Sequence, residues 1–308
     1  MSPATPASVG FIGLGALGMP MAANLLAGGF PLTVHNRRRQ REESLSAAGA
    51  RRAATPAAAA SGADLLALCL SDDAAVEEVL LGSDAGSATA ALAGLAPGTL
   101  VIDFSTIAPA SSRRLAAALA ERGVAYLDAP VTGGTEGARA GSLSVLVGGA
   151  ATDLERARPV LEAVGGRIAH FGPVGAGQEA KAVNQVLVAG SYAAVAEAMA
   201  LGQRLGLPME EVRQALMGGA AASWALEHRA GAMLRGEFPL GFRLRLHRKD
   251  LGIALEAAGA SGLGLPVARQ VAAMEDALIA AGYGDEDVAA LARWFASGPG
   301  ADGAAPAL

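Results

Sequence analysis

The sequence predicts a Rossmann-type α/β domain with a parallel sheet, followed by an all-α domain. A long helix joins the two domains. Short strand-like runs alternate with helix-like segments in the first half of the chain, and such alternation is typical of a parallel sheet covered by helices. After about residue 175 only helical patterns are found. The predicted boundaries are 1–174 for the α/β domain, 175–296 for the helical domain and 297–308 for a disordered tail.

Seven short apolar runs are the strand candidates of the first domain. In chain order they are Val9–Ile12, Leu32–His35, Leu65–Leu70, Leu100–Phe104, Ala125–Asp128, Leu143–Gly148 and Ile168–Phe171. Helical patterns lie between them at residues 16–28, 73–81 and 109–122. In the second domain, Gly and Pro separate helical segments near residues 206–208, 218–219, 236–241 and 262–266. The helical segment before the first break, 177–205, would span about 40 Å. We expect this long helix to connect the two domains.

Composition and charge indicate a globular protein and exclude several functions. Of 308 residues, 52% are hydrophobic and 17% charged, and the net charge of −5 argues against nucleic acid or an anionic membrane as the main partner. The single cysteine, Cys69, excludes an internal disulfide, and the four histidines show no metal-ligand spacing. No signal peptide is recognised in residues 1–8, and the apolar segment 186–201 is shorter than a membrane span. A cytoplasmic protein is therefore expected.

A glycine-rich loop directly follows the first predicted strand. The segment Val9-Gly-Phe-Ile-Gly-Leu-Gly-Ala-Leu-Gly18 contains the pattern GxGxxG, and a helical pattern begins at its end. The first glycine allows a tight turn, the second lets the backbone approach a pyrophosphate, and the third lets helix and strand pack closely. Free N–H groups at the helix start attract the phosphates. The sequence thus predicts a Rossmann-type dinucleotide site, with contacts from Gly13, Leu14, Gly15, Ala16, Leu17 and Gly18.

The end of the second predicted strand bears on the choice between NAD(H) and NADP(H). An acidic residue there usually holds the ribose hydroxyls of NAD, but this chain has Asn36, followed by Arg37 and Arg38. Guanidinium groups can bind a 2′-phosphate in a bidentate manner. We therefore expect a preference for NADP(H), with NAD(H) also possible; the alternative is a solvated basic turn. Further cofactor candidates lie at or after the ends of later predicted strands: Leu70, Ser105 and Thr106.

A lysine and two amides lie together near the start of the long helix. In the segment Gly175–Gln185, Asn184 and Gln185 follow Lys181 by three and four positions and share its helix face. The helix continues with apolar residues, so this face is expected to be partly buried, where a lysine is costly unless it is paired or used. The alternative is a lysine whose ammonium extends to solvent.

The segment Asp128-Ala-Pro-Val-Thr-Gly-Gly134 predicts a site for a small carboxylate. Thr132 offers a hydroxyl group, and Gly133 and Gly134 offer consecutive N–H groups without an obstructing side chain. A turn with two glycines is often only structural, so this prediction depends on the motifs beside it.

Four motifs together resemble those of the β-hydroxyacid dehydrogenases, in that family's order and spacing. They are Gly10–Gly18, Asp128–Gly134, Gly175–Gln185 and Lys249–Leu251, which are distributed over essentially the whole chain. The resemblance implies a two-domain enzyme that binds the dinucleotide in its first domain. It also implies an active site in the cleft between the domains, and a homodimer or homotetramer assembled through the helical domain. One departure from the family pattern is Thr132, where serine is common.

Within the family, the motif around Lys181 and the segment Gly241–Leu251 most resemble the tartronate semialdehyde reductases. This implies NADP(H)-dependent reduction of a short semialdehyde carboxylate to its β-hydroxyacid. Lys181 would be the general acid, Asn184 would orient it with Gln185 as second choice, and Lys249 would contact cofactor or substrate. Partial burial and the charge of Lys249 would lower the pKa of Lys181 from its ordinary value of about 10.4.

The sequence is also compatible with other functions of this scaffold. The nearest alternatives are a 3-hydroxyisobutyrate dehydrogenase, whose relatives more often carry two asparagines at positions 184 and 185, and a succinic semialdehyde reductase. An imine reductase usually lacks a lysine at position 181, and a non-catalytic NADP-binding module would not need one. For Lys249 the alternative is an ion pair with Asp250.

Overall fold

The computed structural model describes residues 7–82 and 87–296 and divides the chain into two compact units. The units are Met1–Lys181 and Ala182–Leu308. Their division lies inside the long helix, whereas the boundary predicted between residues 174 and 175 lies at the start of that helix. The predicted disordered tail, 297–308, lies outside the described residues.

The first unit is built on a nine-stranded sheet. Its strands are β1 Val9–Ile12, β2 Leu32–His35, β3 Arg51–Arg52, β4 Leu65–Leu68, β5 Leu100–Asp103, β6 Ala125–Asp128, β7 Val131–Thr132, β8 Leu143–Gly148 and β9 Gly165–Gly172. Its helices are α1 Gly18–Ala27, α2 Glu43–Ala47, α3 Pro56–Ala60, α4 Asp73–Leu80, α5 Pro109–Ala120, α6 Gly134–Ala140 and α7 Ala151–Val164, with 3₁₀ turns at Arg39–Glu42 and Ala91–Ala93. The sheet order is β3-β2-β1-β4-β5-β6-β8-β7, and β9 pairs with β8.

Both faces of this sheet are buried, which explains the uninterrupted apolar runs of its central strands. In β4, Leu65 and Ala67 belong to one hydrophobic core, whereas Leu66 and Leu68 belong to another. Alternate residues of a strand point to opposite faces, so each face has its own core. The carboxyl ends of the parallel strands β1 to β6 consequently meet at one edge, where loops are free to bind a ligand.

The predicted parallel sheet is confirmed from β1 to β6, and antiparallel pairs occur only at one side of the described sheet. The pairs β6–β8 and β7–β8 are antiparallel, although β8 and β9 are parallel to each other. A parallel return needs a crossover of about a dozen residues or more. Only the stretch 133–142, which contains α6, joins β7 to β8, so the chain returns in the opposite direction.

All seven predicted strands are present, with ends that differ by up to three residues. The two-residue strands β3 and β7 had no sequence pattern long enough to be recognised. Helix α7 was also missed, and it contains Pro159, a residue that normally argues against a helix interior.

The second unit is helical, as predicted. Helix α8, Ala176–Arg204, leads into it, and the other helices are α9 Met209–Leu216, α10 Trp224–His228, α11 Ala230–Arg235, α12 Leu244–Ala260, α13 Pro266–Ala280 and α14 Ala292–Ala296, with a 3₁₀ turn at Val288–Leu291. Among the described residues after 175 there is no strand, only an isolated bridge between Arg243 and Asp287. The Gly and Pro breaks separate the helices where the sequence predicted. One core gathers the apolar sides of these helices, including Tyr192, Leu244 and Val271.

Helix α8 is longer than the apolar segment considered in the sequence. It has 29 residues and a most apolar 18-residue window with mean hydropathy 1.3, which by length and composition could cross a membrane. One such helix is weak evidence, because the core helix of a soluble protein has the same length and composition. Of that window, 39% is buried inside the protein, so much of its apolar surface is exposed.

Candidate functional site

The glycine loop between β1 and α1 is a tight turn with one open side. Gly13 has φ = 100°, and a Cβ atom there would lie 2.3 Å from the Cys69 carbonyl oxygen. A Cβ atom at Gly18 would lie 2.0 Å from the Gly13 oxygen, whereas one at Gly15 would meet nothing within 4 Å. Of the other loop positions, Leu14 is buried, Leu17 half-buried and Ala16 exposed. The open space at Gly15 leaves room for the close approach of a pyrophosphate, and that contact stays a prediction.

Asn36 holds this loop against the end of β2. Its Oδ1 atom accepts the Leu14 N–H at 2.9 Å, and its amide group donates to the Arg38 carbonyl at 2.9 Å. Its own N–H donates to Glu42 Oε1 at 2.9 Å. Asn36 thus shapes the cofactor loop from within.

Glu42 is a buried carboxylate that the sequence did not single out. It forms ion pairs with Arg52 at 2.8 Å and with Arg39 at 3.1 Å. Two of the nearby arginines are therefore engaged with Glu42. Arg37 and Arg38 are exposed, and their side chains make no hydrogen bond or ion pair with residues in the described ranges. These two remain available to a phosphate group.

A hydrogen-bonded group lies at the carboxyl ends of β4 and β5. Buried Ser105 accepts the Leu70 N–H at 2.9 Å through its hydroxyl oxygen, and its carbonyl accepts the Gln178 side-chain amide at 2.8 Å. The predicted cofactor residues Leu70 and Ser105 are therefore in contact, and half-buried Thr106 follows directly. Gln178 comes from α8 and was not a candidate, because nothing in its local sequence indicates a partner more than 70 residues away.

Asp103 ends β5 in a fully buried position. It accepts the Ser105 N–H at 2.9 Å and the Tyr126 hydroxyl at 3.0 Å. Burial raises its pKa from 3.8 to about 6, although these hydrogen bonds act in the opposite direction. The folded protein therefore keeps this proton at a pH where the unfolded chain has lost it.

We expect Asp103→Asn to change the pH dependence of stability. Because the folded pKa is raised, the favourable contribution of the protonated carboxyl is complete below about pH 4 and is lost between about pH 4 and 6, by up to about 3 kcal/mol. The asparagine variant lacks this loss. Its free energy of unfolding should rise relative to wild type between pH 4.5 and 7, as measured by urea unfolding at several pH values. A constant difference across that range would contradict the assignment.

Asp128 joins the start of α8 to the end of β6. Its Oδ1 atom accepts the Gly175 N–H at 2.7 Å and its Oδ2 atom accepts the Gln178 N–H at 2.9 Å, and the side chain is fully buried. Burial raises the pKa of Asp128, and these N–H groups oppose that rise. A carboxylate at a helix N-terminus also interacts favourably with the helix dipole. Asp128 therefore sets the position from which α8 begins.

Lys181 lies one turn further along α8 and contacts the predicted carboxylate segment. Its side chain is buried, with 6% exposed, which contradicts the alternative of a lysine extending to solvent. Its Nζ atom donates to the Val131 carbonyl oxygen at 2.9 Å. Val131 and Thr132 form β7, and Gly133 and Gly134 follow with φ = 130° and 64°. Two motifs 50 residues apart in the chain are thus brought together.

In the second unit, the other predicted polar residues form one hydrogen-bonded series. Asn184 donates to Gln185 Oε1 at 2.7 Å, and Gln185 donates to Asp250 Oδ2 at 2.7 Å. The Lys249 ammonium lies 2.8 Å from Asp250 Oδ1. The ion pair that the sequence offered as the alternative for Lys249 is therefore present, and Asp250 contacts both Gln185 and Lys249.

His247, in the same segment as Lys249, has a structural role. It lies 2.5 Å from Glu275 through Nδ1, and both side chains are fully buried. Across the residues that the structure describes, no group of three or more side chains could hold a metal ion.

A glycine loop at the carboxyl edge of a parallel sheet, followed by a helical unit, is typical of nicotinamide-dinucleotide oxidoreductases. The family model described as the NAD binding domain of 6-phosphogluconate dehydrogenase matches residues 8–172, and that described as NAD-binding of NADP-dependent 3-hydroxyisobutyrate dehydrogenase matches residues 175–295. The chain belongs to the β-hydroxyacid dehydrogenase family. It is an NAD(P)-dependent enzyme that acts on CH–OH groups.

Individual relatives differ in the substrates that their names give. The chain is 42% identical to the NAD-dependent L-serine dehydrogenase of Pseudomonas aeruginosa, over 93% of this chain and 97% of that protein. It is 39% identical to the 2-hydroxy-3-oxopropionate reductase of Escherichia coli, over 84% and 86%. The structure of Mycobacterium tuberculosis 3-hydroxyisobutyrate dehydrogenase with L-serine matches with a TM-score of 0.82 at 33% identity, covering 94% of this chain and 98% of that one.

Proposed function

We propose that this enzyme reduces a short semialdehyde carboxylate, with tartronate semialdehyde (2-hydroxy-3-oxopropionate) as the first candidate. The observation that carries the proposal is the 2.9 Å contact between Lys181 and the Val131 carbonyl. It places a buried ammonium beside the Thr132–Gly134 segment, whose hydroxyl and N–H groups suit a carboxylate. In tartronate semialdehyde a single carbon lies between the carboxylate carbon and the aldehyde carbon. Such a molecule can bind the Thr132–Gly134 segment through its carboxylate and meet Lys181 through its carbonyl oxygen.

The roles of the residues follow from this arrangement. Thr132, Gly133 and Gly134 bind the carboxylate and leave one orientation for the carbonyl group. The hydride for the carbonyl carbon would come from a reduced nicotinamide dinucleotide, which the loop of Gly13, Gly15 and Gly18 would hold. Lys181 donates a proton to the oxygen that becomes an alkoxide, and it accepts that proton in the reverse direction. Asn184, with Gln185 as second choice, orients the substrate hydroxyl, and Lys249 contacts cofactor or substrate from the helical unit.

The names of the relatives indicate a common substrate form, HOCH₂–CHX–COO⁻, in the oxidation direction. X is a hydroxyl group in glycerate, the product of tartronate semialdehyde reduction, an ammonium group in L-serine and a methyl group in 3-hydroxyisobutyrate. Lys181 is protonated when it acts as general acid in the reduction direction, and in that state it would repel an ammonium substituent near the reacting end. This favours the neutral substituents. L-serine oxidation is the second candidate, because it is supported by the name of a relative at 42% identity.

A substrate panel separates these candidates. NADPH or NADH oxidation would be followed with tartronate semialdehyde, methylmalonate semialdehyde, succinic semialdehyde and a cyclic imine, and NAD(P)⁺ reduction with L-serine, D-glycerate and 3-hydroxyisobutyrate. We expect the highest kcat/KM with tartronate semialdehyde. A higher value for L-serine oxidation would replace the first candidate by the second. Turnover of the imine alone would contradict the acid–base role of Lys181.

We further propose that NADP(H) is preferred over NAD(H), through Arg37 and Arg38. Replacing both by alanine should lower kcat/KM for NADPH by about tenfold to a hundredfold, because charge-assisted hydrogen bonds to the 2′-phosphate are lost. The value for NADH should change little. Arg122→Ala is the matched control, since Arg122 is exposed but follows α5 at the opposite edge of the sheet. A wild-type enzyme that clearly favours NADH would contradict the proposal.

A further inference from the structure

Gln178 is a buried amide near the start of α8, and both ends of its amide group are hydrogen-bonded. Its Nε2 atom donates to the Ser105 carbonyl oxygen at 2.8 Å, and its Oε1 atom accepts the Ile107 N–H at 3.3 Å. Its own backbone N–H donates to Asp128 Oδ2 at 2.9 Å. The side chain therefore holds the backbone on both sides of Thr106, which is itself half-buried.

The sheet order indicates which half of a dinucleotide this segment would meet. The pyrophosphate is expected at the glycine loop that follows β1, and the 2′-phosphate at Arg37 and Arg38 after β2. Strands β4 and β5 lie on the side of β1 away from β2. The nicotinamide half is therefore expected over the carboxyl ends of β4 and β5, where the segment Ser105–Ile107 follows β5.

Gln178 also lies one helical turn before Lys181. A separation of three residues puts both side chains on one side of α8, about 4.5 Å apart along its axis. The Lys181 ammonium contacts the Val131 carbonyl at 2.9 Å, beside the segment proposed to bind the substrate carboxylate. Gln178 therefore joins the segment expected to meet the nicotinamide to the helix that carries the proposed proton donor.

We propose that Gln178 is a positioning residue, which sets the distance between the hydride donor and the proton donor of the reaction. This inference rests on the proposed function, in which Lys181 donates the proton. The contacts of Gln178 with Ser105, Ile107 and Asp128 all lie within the first unit. Reacting atoms must lie about 3 to 3.5 Å apart, and a displacement of about 1 Å can lower the rate about a hundredfold. An apolar side chain of the same length would fill the space but would leave both backbone groups unheld.

Gln178→Met tests the effect on the reaction, because it keeps the length of the side chain but removes its amide. We expect hydride transfer from NADPH to tartronate semialdehyde in single turnover to slow at least about tenfold. The dissociation constant of NADPH should change less than about threefold, since the expected phosphate contacts at β1 and β2 are untouched. Stopped-flow absorbance and NADPH fluorescence titration measure the two quantities. If wild type does not reduce tartronate semialdehyde, the proposed function fails, and the substrate of the panel that wild type converts takes its place in this test.

Amide hydrogen exchange tests the contact itself, without substrate or cofactor. In Gln178→Met the peptide that contains Ser105–Ile107 should exchange at least about tenfold faster, because the Ile107 N–H loses its acceptor. Mass spectrometry of peptides from the exchanged protein measures this rate. Unchanged exchange of this peptide would overturn the proposal, whatever the substrate of the enzyme.

The matched control is Leu119→Ala, which shortens a buried side chain near the end of α5. It should lower stability through the cavity that it creates, without slowing hydride transfer. Urea unfolding checks that each variant is folded under the assay conditions. Should Gln178→Met not fold, Gln178→Asn takes its place, since its shorter amide cannot reach both backbone groups. Hydride transfer in the Gln178 variant within about threefold of wild type, or equal slowing in Leu119→Ala, would contradict a positioning role.

Discussion

Replacing Lys181 with alanine is expected to lower kcat at least about a hundredfold, which is the usual scale of a general acid–base contribution. The loss is expected because the variant removes the ammonium group that would supply the proton and the positive charge to the developing alkoxide. The dissociation constant of NADPH should stay nearly unchanged, because the predicted cofactor contacts lie in the glycine loop and at the end of β2. Single-turnover kinetics and NADPH fluorescence titration measure the two quantities separately.

Lys181→Arg separates charge from proton transfer. An arginine keeps a positive charge near the carboxylate segment, but its pKa is much higher than that of lysine, which makes it a poor proton donor near neutral pH. We expect KM to recover more than kcat in this variant. A basic limb of the pH profile of kcat that depends on Lys181 should be absent from this variant. Near-wild-type turnover in the alanine variant would rule out the catalytic role of Lys181. This conclusion would hold even if the enzyme acted on a substrate of its family.

Replacing Asp128 with alanine is expected to lower the free energy of unfolding by about 3 to 5 kcal/mol. The variant leaves the Gly175 and Gln178 N–H groups buried without an acceptor, at about 1 to 3 kcal/mol each, and removes a carboxylate from the N-terminus of α8. Asp128→Asn should lose roughly half as much, because its amide oxygen still accepts one N–H whereas its NH₂ group meets the other.

The control for Asp128 is Glu155→Gln. Glu155 belongs to the same unit, but it is exposed and pairs with Arg158 on the surface of α7, where solvent screens an ion pair and its contribution to stability is small. Urea unfolding followed by circular dichroism compares the three variants with wild type. Equal stabilities of Asp128→Ala and Glu155→Gln would show that Asp128 does not anchor the helix. Because α8 carries Lys181 one turn later, the asparagine variant should also lower kcat more than it raises KM.

Much of the fold is encoded in local patterns that need no partner to be recognised. The spacing of Gly13, Gly15 and Gly18 after an apolar run predicts the loop between β1 and α1, because only glycine tolerates its backbone angles and close contacts. The apolar runs of β4 and β5 predict buried parallel strands, because helices cover both faces of such a sheet and neither face needs polar residues. The motif around Lys181 likewise indicated a lysine on a partly buried helix face, and the structure shows that the lysine is buried.

Other features depend on contacts between residues far apart in the chain. The reversal of β8 follows from the short stretch between β7 and β8, which the sequence pattern of the strand itself does not encode. The roles of Glu42, Asp128 and Gln178 were missed, because a carboxylate or amide acquires a role only when folding supplies its donors. Asp128, for example, obtains its donors 47 and 50 residues later.

The candidate site depends both on local sequence patterns and on contacts between residues far apart in the chain. The chemical groups could be recognised from the sequence alone: a lysine with two amides on one helix face, a threonine with two glycines after a strand, and a glycine loop at a helix start. Their assembly was not, since the Lys181–Val131 contact depends on how Asp128 positions α8 against the sheet. Periodicity and residue type report local conformational preference, which acts over a few residues. Pairing of buried polar groups acts across the whole chain, and only the folded arrangement determines it.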